Sequence, residues 1–240
     1  MKKIFLLAAT FSLLISCGRF MGKRIRGNGV IKTEERTVSP FKQVQASGAI
    51  KLMVSQGAFK PIRLEGDENI LPYVEINQDG DGIDIRTRPG YNLSPSNDLI
   101  VYVTAPVYST IAVSGASDIR GQNKITNAEN LELGASGAGD IEMDVDAPKL
   151  SATISGSGSV KLKGQTKDLD INLSGAGHAY CYDLLSENTK VDISGAGSAE
   201  VYASVKLEAD VSGVGNVRYK GNASNVSQHV SGAGSVGKAD

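Results

Sequence analysis

The chain has 240 residues, 28 of them Gly and none Trp, and 40% are hydrophobic; its 25 Lys and Arg are matched by 26 Asp and Glu. That balance, with no long basic run after Arg26, excludes a nucleic-acid-binding protein, which would need a basic surplus against phosphates. The apolar content excludes wholesale disorder.

Lys2 and Lys3 precede an apolar stretch, Ile4 to Ile15, that is too short to span a bilayer, so residues 1–16 read as an export signal. It closes on Leu14-Ile15-Ser16-Cys17, which resembles the bacterial lipobox. The resemblance implies that Cys17 is acylated and becomes a membrane anchor, since several acyl chains bury many methylenes at about 0.8 kcal/mol each. Gly18 after the cysteine, where an aspartate is absent, points to the outer membrane of a Gram-negative bacterium. Residues 17–37 are expected to be the lipidated cysteine and a flexible tether, with Arg19, Lys23, Arg24 and Arg26 close to anionic headgroups. With Cys17 acylated, Cys181 has no disulfide partner, and its place in an alternating strand makes it a small buried hydrophobe.

Residues 38–240 read as a single domain. Strands are expected over Val44–Val54, Ile62–Glu65, Tyr73–Gln78, Gly82–Thr87 and Leu99–Thr104, forming irregular first coils that cover one end of the domain. Asp79-Gly80-Asp81-Gly82 between two of them lacks the spacing of a calcium loop and reads as a hairpin turn.

From Ser114 onward a tetrapeptide, Ser-Gly-X-Gly/Ser, recurs at Ser114, Ser136, Ser155, Ser174, Ser194, Ser212 and Ser231, at steps of 22, 19, 19, 20, 18 and 19 residues. Ser47-Gly48-Ala49 is an eighth, degenerate copy. Each copy lies between two segments with apolar residues at alternate positions, such as Leu169-Asp170-Ile171-Asn172-Leu173 and Ala179-Tyr180-Cys181-Tyr182. Two strands and two turns in about nineteen residues leave no room for a crossover helix. They fit an all-β parallel β-helix, each strand pairing with its counterpart one coil away at ~4.8 Å. The competing architecture is a meander of antiparallel hairpins; it is disfavoured because both strands keep the same inward pattern relative to the turn.

The leader, the seven repeats in register and the lead-in Phe41-Lys42-Gln43-Val44-Gln45-Ala46-Ser47-Gly48 together resemble the auto-transporter adhesin "head GIN" domain family of bacterial cell-envelope proteins, over about residues 38–235. The resemblance implies a right-handed β-helix, lipid-anchored or secreted, and supplies no catalytic motif.

Two groups of residues are candidates for function. Those that follow each tetrapeptide form the column Asp118, Asp140, Ser159, His178, Ser198, Asn216, Ser235. Stacking would bring Asp118 and Asp140 about 5 Å apart, the separation of a retaining glycosidase or a shared cation site. Solvated turn carboxylates are the alternative. The second group is an outward aromatic cluster, Tyr180, Tyr182 and Tyr202, with Lys163 and Lys220 on adjoining coils, a platform for a glycan or a cell-surface protein. Around it, Arg120, Glu142, Lys161, Glu200 and Arg218 should alternate in sign coil by coil. His178 and His229 are too many coils apart for one metal site; neither a metal nor a cofactor is expected. The function read from these features is a lipid-anchored envelope protein acting as a non-catalytic, adhesin-like binding or structural module. The alternative is a polysaccharide-active β-helix enzyme, a lyase or glycoside hydrolase.

Overall fold

The computed structural model describes residues 22–239; the export signal and Cys17 lie outside the described residues. The chain winds into a parallel β-helix made of two ladders joined at the Ser-Gly turns. The ladder upstream of each turn stacks Gly82–Thr87, Gln43–Gly48, Thr110–Gly115, Asn130–Gly137, the second halves of Ile141–Gly156 and Ser159–Gly175, Leu184–Gly195, Lys206–Gly213 and Asn225–Gly232. All of these pairs are parallel, which excludes the meander. The serines stack one over another from Ser47 through Ser114, Ser136, Ser155, Ser174, Ser194 and Ser212 to Ser231.

Alternation dictates which side chains go in. Along the upstream ladder Leu133, Ala152, Ile171, Val191 and Ala209 are buried in one column, and Ala135, Ile154, Leu173, Ile193 and Val211 in the next. On the downstream side Ile141, Val160, Ala179, Ala199 and Val217 face them. Cys181 sits in the same core, fully buried, and burial pushes its thiol up to about 12. A thiol so far from the thiolate state is packing material, as its alternation predicts.

The turns hold the coils at a fixed spacing. At the second turn position glycine adopts positive φ, for example +125° at Gly156 and +108° at Gly175. The following amide then donates to the glycine carbonyl one coil below, as Ala176 N does to Gly156 O at 2.8 Å and Ala196 N to Gly175 O at 2.8 Å. At the fourth position a Cβ on Gly158 would strike the carbonyl oxygen of Gly139 beneath it.

The first coils do not stack in chain order. Gln43–Gly48 and Ile50–Gln56 lie between the coil of residues 82–105 and the one that starts at Thr110, so the chain descends to build the bottom coil and then climbs past its own second level. Below that coil, antiparallel strands Val74–Asp79 and Ile62–Asp67 close the two free edges. This is the expected covering of that end. Phe41, Phe59 and Tyr108 pack around it, Phe41 lying 5.9 Å from Phe59 and 6.3 Å from Tyr108 between ring centroids.

One expectation needs correction. Residues 17–37 do not form a flexible tether throughout: Lys23–Arg26 pairs in parallel with Tyr91–Ser94, and Ile31–Arg36 in antiparallel fashion with Ile62–Asp67. Between these strands the buried carboxylate of Asp67 accepts hydrogen bonds from Gly29 N at 2.7 Å, Ser96 N at 2.9 Å and Ser96 Oγ. The pairing was hidden because both faces of these strands are largely exposed, so no apolar alternation marks them.

Candidate functional site

Two departures from the nineteen-residue period shape the downstream face. The long first step is absorbed after Gly121: Arg120 still stacks under Glu142, but Ile125 already stacks under Val145, and Gln122–Lys124 bulge between them. The twenty-residue step is absorbed at Tyr182 and Asp183, because Lys161 stacks under Tyr180 whereas Gly164 stacks under Leu184. An insertion in a strand that must stay in register above and below has nowhere to go but outward. The two bulges flank a groove of about 720 Å³ floored by the intervening coils.

The charges in this groove neutralise one another. Arg120 Nη1 lies 3.2 Å from Glu142 Oε2, and Lys161 Nζ lies 3.6 Å from Glu142 Oε1. Lys124 and Lys163 reach Asp144 at 3.7 and 3.8 Å. The coil-by-coil alternation expected from sequence is therefore present, and each exposed pair contributes only a few tenths of a kcal/mol. What the pairs achieve is a wall without net field.

Aromatic side chains form the upper part of the groove. Tyr180 is 45% exposed, with its ring 6.2 Å from that of His178 and nearly parallel to it. His178 is held in turn by a 2.7 Å hydrogen bond between Nδ1 and Ser198 Oγ. Tyr182 also lines the groove, and Lys220 Nζ lies 4.7 Å from its ring centroid, a cation–π contact. Burial, with the nearby Glu200 carboxylate, raises the Tyr182 hydroxyl above its ordinary value. Of the five residues expected together, Tyr180, Tyr182 and Lys163 line the groove; Tyr202 and Lys220 lie beyond its rim, Lys220 acting from behind Tyr182.

The polar column is in register as read, from Asp118 to Ser235. Its carboxylates hold backbone. Asp118 Oδ1 accepts from Asp140 N at 3.0 Å, and Asp140 Oδ1 accepts from Ser159 N at 2.9 Å and Ser159 Oγ at 2.6 Å. Each aspartate thus stitches its coil to the one above. Among the described residues no group of three or more His, Cys, Asp or Glu side chains is placed to hold a metal ion.

Sequence reasoning did not single out a second depression of about 430 Å³ on the upstream face, where Thr153, Asn172, Asp192, Asp210 and His229 stack in register. The signal was available, since these residues share one offset from each turn. It was passed over because no type recurs along the column.

Stacked parallel coils, a glycine-cornered edge and a shallow groove built where the repeat swells define a β-solenoid of the kind found in surface-binding proteins. The chain belongs to the family described as "Putative auto-transporter adhesin, head GIN domain", which matches residues 40–223. Among solved structures it is similar to a "putative adhesin" from Bacteroides fragilis NCTC 9343, with 20% identity and a TM-score of 0.84 over 90% of this chain and 100% of that one. A "putative adhesin" from Parabacteroides distasonis ATCC 8503 matches with 24% identity and a TM-score of 0.73 over 90% of this chain and 100% of the other. A "Putative lipid binding protein" from the same species matches with 21% identity and a TM-score of 0.74 over 91% and 100%. At these identities the likeness is one of fold. A search of curated proteins returned no match.

Proposed function

We propose that the protein is a lipid-anchored, non-catalytic binding module of the bacterial cell envelope, and that the groove between the two bulges takes a neutral, hydroxyl-rich ligand such as a glycan. The observation that carries this reading is the exposed ring of Tyr180 standing over walls whose charges are already paired. A net field would favour an ionic ligand. Paired carboxylates and ammonium groups instead present fixed donors and acceptors to hydroxyls, and an aromatic face stacks on the apolar side of a sugar ring at ~1 kcal/mol. Such a site is weak, micromolar or poorer, and gains strength when many anchored copies act together. The family's adhesin description agrees with a surface-binding role.

The competing enzyme reading loses its best pair, because Asp118 and Asp140 are committed to the amides of the next coil. A glycan array with Tyr180→Ser tests the proposal: binding should fall about tenfold with an unchanged melting midpoint. Unchanged binding, or polysaccharide turnover abolished by Asp140→Asn, would overturn it. The anchor is tested separately. Cys17→Ser should move the protein from the membrane to the soluble fraction, and continued extraction only by detergent would remove the lipid from the account.

A further inference from the structure

The two ends of the solenoid are finished differently. At the first end antiparallel strands close both ladders. At the other, among the described residues, Asn225–Gly232 pairs only with Lys206–Gly213, and Ser235–Lys238 only with Asn216–Lys220. Their outer edges are rows of backbone donors and acceptors with no strand beyond. The core columns also break off there: Leu207 and Val211 are buried, but Val226 and Val230 above them are 39% and 38% exposed. Edges of this kind are ordinarily blunted by Lys, Pro or an inward charge. Asn225–Gly232 carries no Lys, Arg, Asp, Glu or Pro.

This strand is also symmetric about Gln228. Its centre reads Val226-Ser227-Gln228-His229-Val230, so an antiparallel mate centred on Gln228 sets Val226 against the partner's Val230 and Ser227 against the partner's His229. Gln228 meets its own copy, and a carboxamide both donates and accepts, so it satisfies itself. A slip of one residue would oppose valine to serine or histidine and lose every match. Head-to-tail stacking into a filament is blocked by the closed first end, which leaves a two-fold pair that closes on itself.

We propose that the protein self-associates tail to tail, Asn225–Gly232 pairing antiparallel with the same strand of a second copy. Lys238 opposes this. It continues the inward column of Tyr219 and is the one formal charge from Gly221 to Lys238, so two copies bring like charges to the junction. The association is accordingly weak and strengthens with salt. Lys23–Arg26 lies beside the bottom coil, so the N-terminal segments of the pair leave from opposite ends. Two anchored copies would then join two membrane surfaces, a consequence that rests on the Cys17 reading, whereas the pairing itself does not.

Sedimentation velocity on the full chain carrying Cys17→Ser, in non-ionic detergent from ~1 to ~500 µM, tests it. The expected result is a reversible monomer–dimer equilibrium that Gln228→Lys weakens by about tenfold or more and that Lys238→Ala tightens by about threefold. A monomer throughout the range overturns the proposal and leaves the edge to a foreign strand. So does a dimer indifferent to Gln228→Lys at an unchanged melting midpoint. Should Gln228→Lys itself unfold the last coil, the exposed Lys238→Ala decides, and failure to tighten the dimer rejects the pairing.

Discussion

Gly156→Ala is expected to destabilise the fold by more than about 4 kcal/mol, in the range where expression itself fails, whereas Gly48→Ala should cost only about 1–2 kcal/mol. The two glycines have nearly the same backbone, with φ of +125° and +124°. The strain of placing a side chain in that region is therefore common to both. They differ in what lies underneath. A Cβ on Gly156 runs into the carbonyl oxygen of Gly137, which is backbone fixed by its own coil. A Cβ on Gly48 meets nothing closer than Thr87 Oγ1 at 3.4 Å, a side-chain atom that can turn away. That carbonyl of Gly137 also accepts the amide of Ser157 at 2.8 Å, so relieving the clash breaks a coil-to-coil bond. Chemical denaturation of both variants measures the difference, and equal losses would show that conformation alone, and not stacking, demands glycine.

Replacing Asp67 with Ala should cost about 2–4 kcal/mol by leaving the amides of Gly29 and Ser96 and the Ser96 hydroxyl without their acceptor in a dry site. The pH dependence has a definite sign. Burial raises the Asp67 carboxyl, but the hydrogen bonds from Ser96, Gly29 and Asn97 together outweigh it and hold the group below its ordinary value of 3.8. A group whose folded value is depressed contributes stability that is fully present above the unfolded value and is lost as pH falls through the folded one. Wild type should therefore lose stability below about pH 4 more steeply than Asp67→Asn. Parallel acid profiles for the two proteins would show that the carboxylate is not what ties residues 22–36 to the body.

The register of the regular coils was legible because one small turn can be built only with serine and glycine at fixed places, and stacking copies that demand from coil to coil. Ser174 over Ser155 then fixes Leu173 over Ile154 and Tyr180 over Lys161 without further information. The groove was half legible. Tyr180, Tyr182 and Lys163 follow from periodicity, but its walls follow from where insertions are absorbed, and a step of 22 residues does not say whether the excess lies before or after Gly121. The level of Gln43–Gln56 in the stack was not legible at all. Its residues alternate correctly for any coil, and only pairing with Gly82–Thr87 on one side and Thr110–Gly115 on the other decides its place. Lys23–Arg26 was missed for the opposite reason, since a strand exposed on both faces has no pattern to read.

That displaced level bears on how the molecule comes into being. A solenoid whose coils follow chain order can grow from its first turn as the polypeptide arrives, each new coil laid on a finished edge. Here the second level is made before the first, and its upper edge waits for Thr110–Gly115, more than fifty residues after Gln56. Until then the strands Gln43–Gly48 and Ile50–Gln56 have no parallel neighbour above them, and the contacts that fix them span long stretches of chain. Assembly therefore has a slow, non-local start followed by fast local winding from Asn130 onward. A chain delivered N-terminus first is most vulnerable to mispairing in the interval before Thr110 arrives, and quickly secure afterwards.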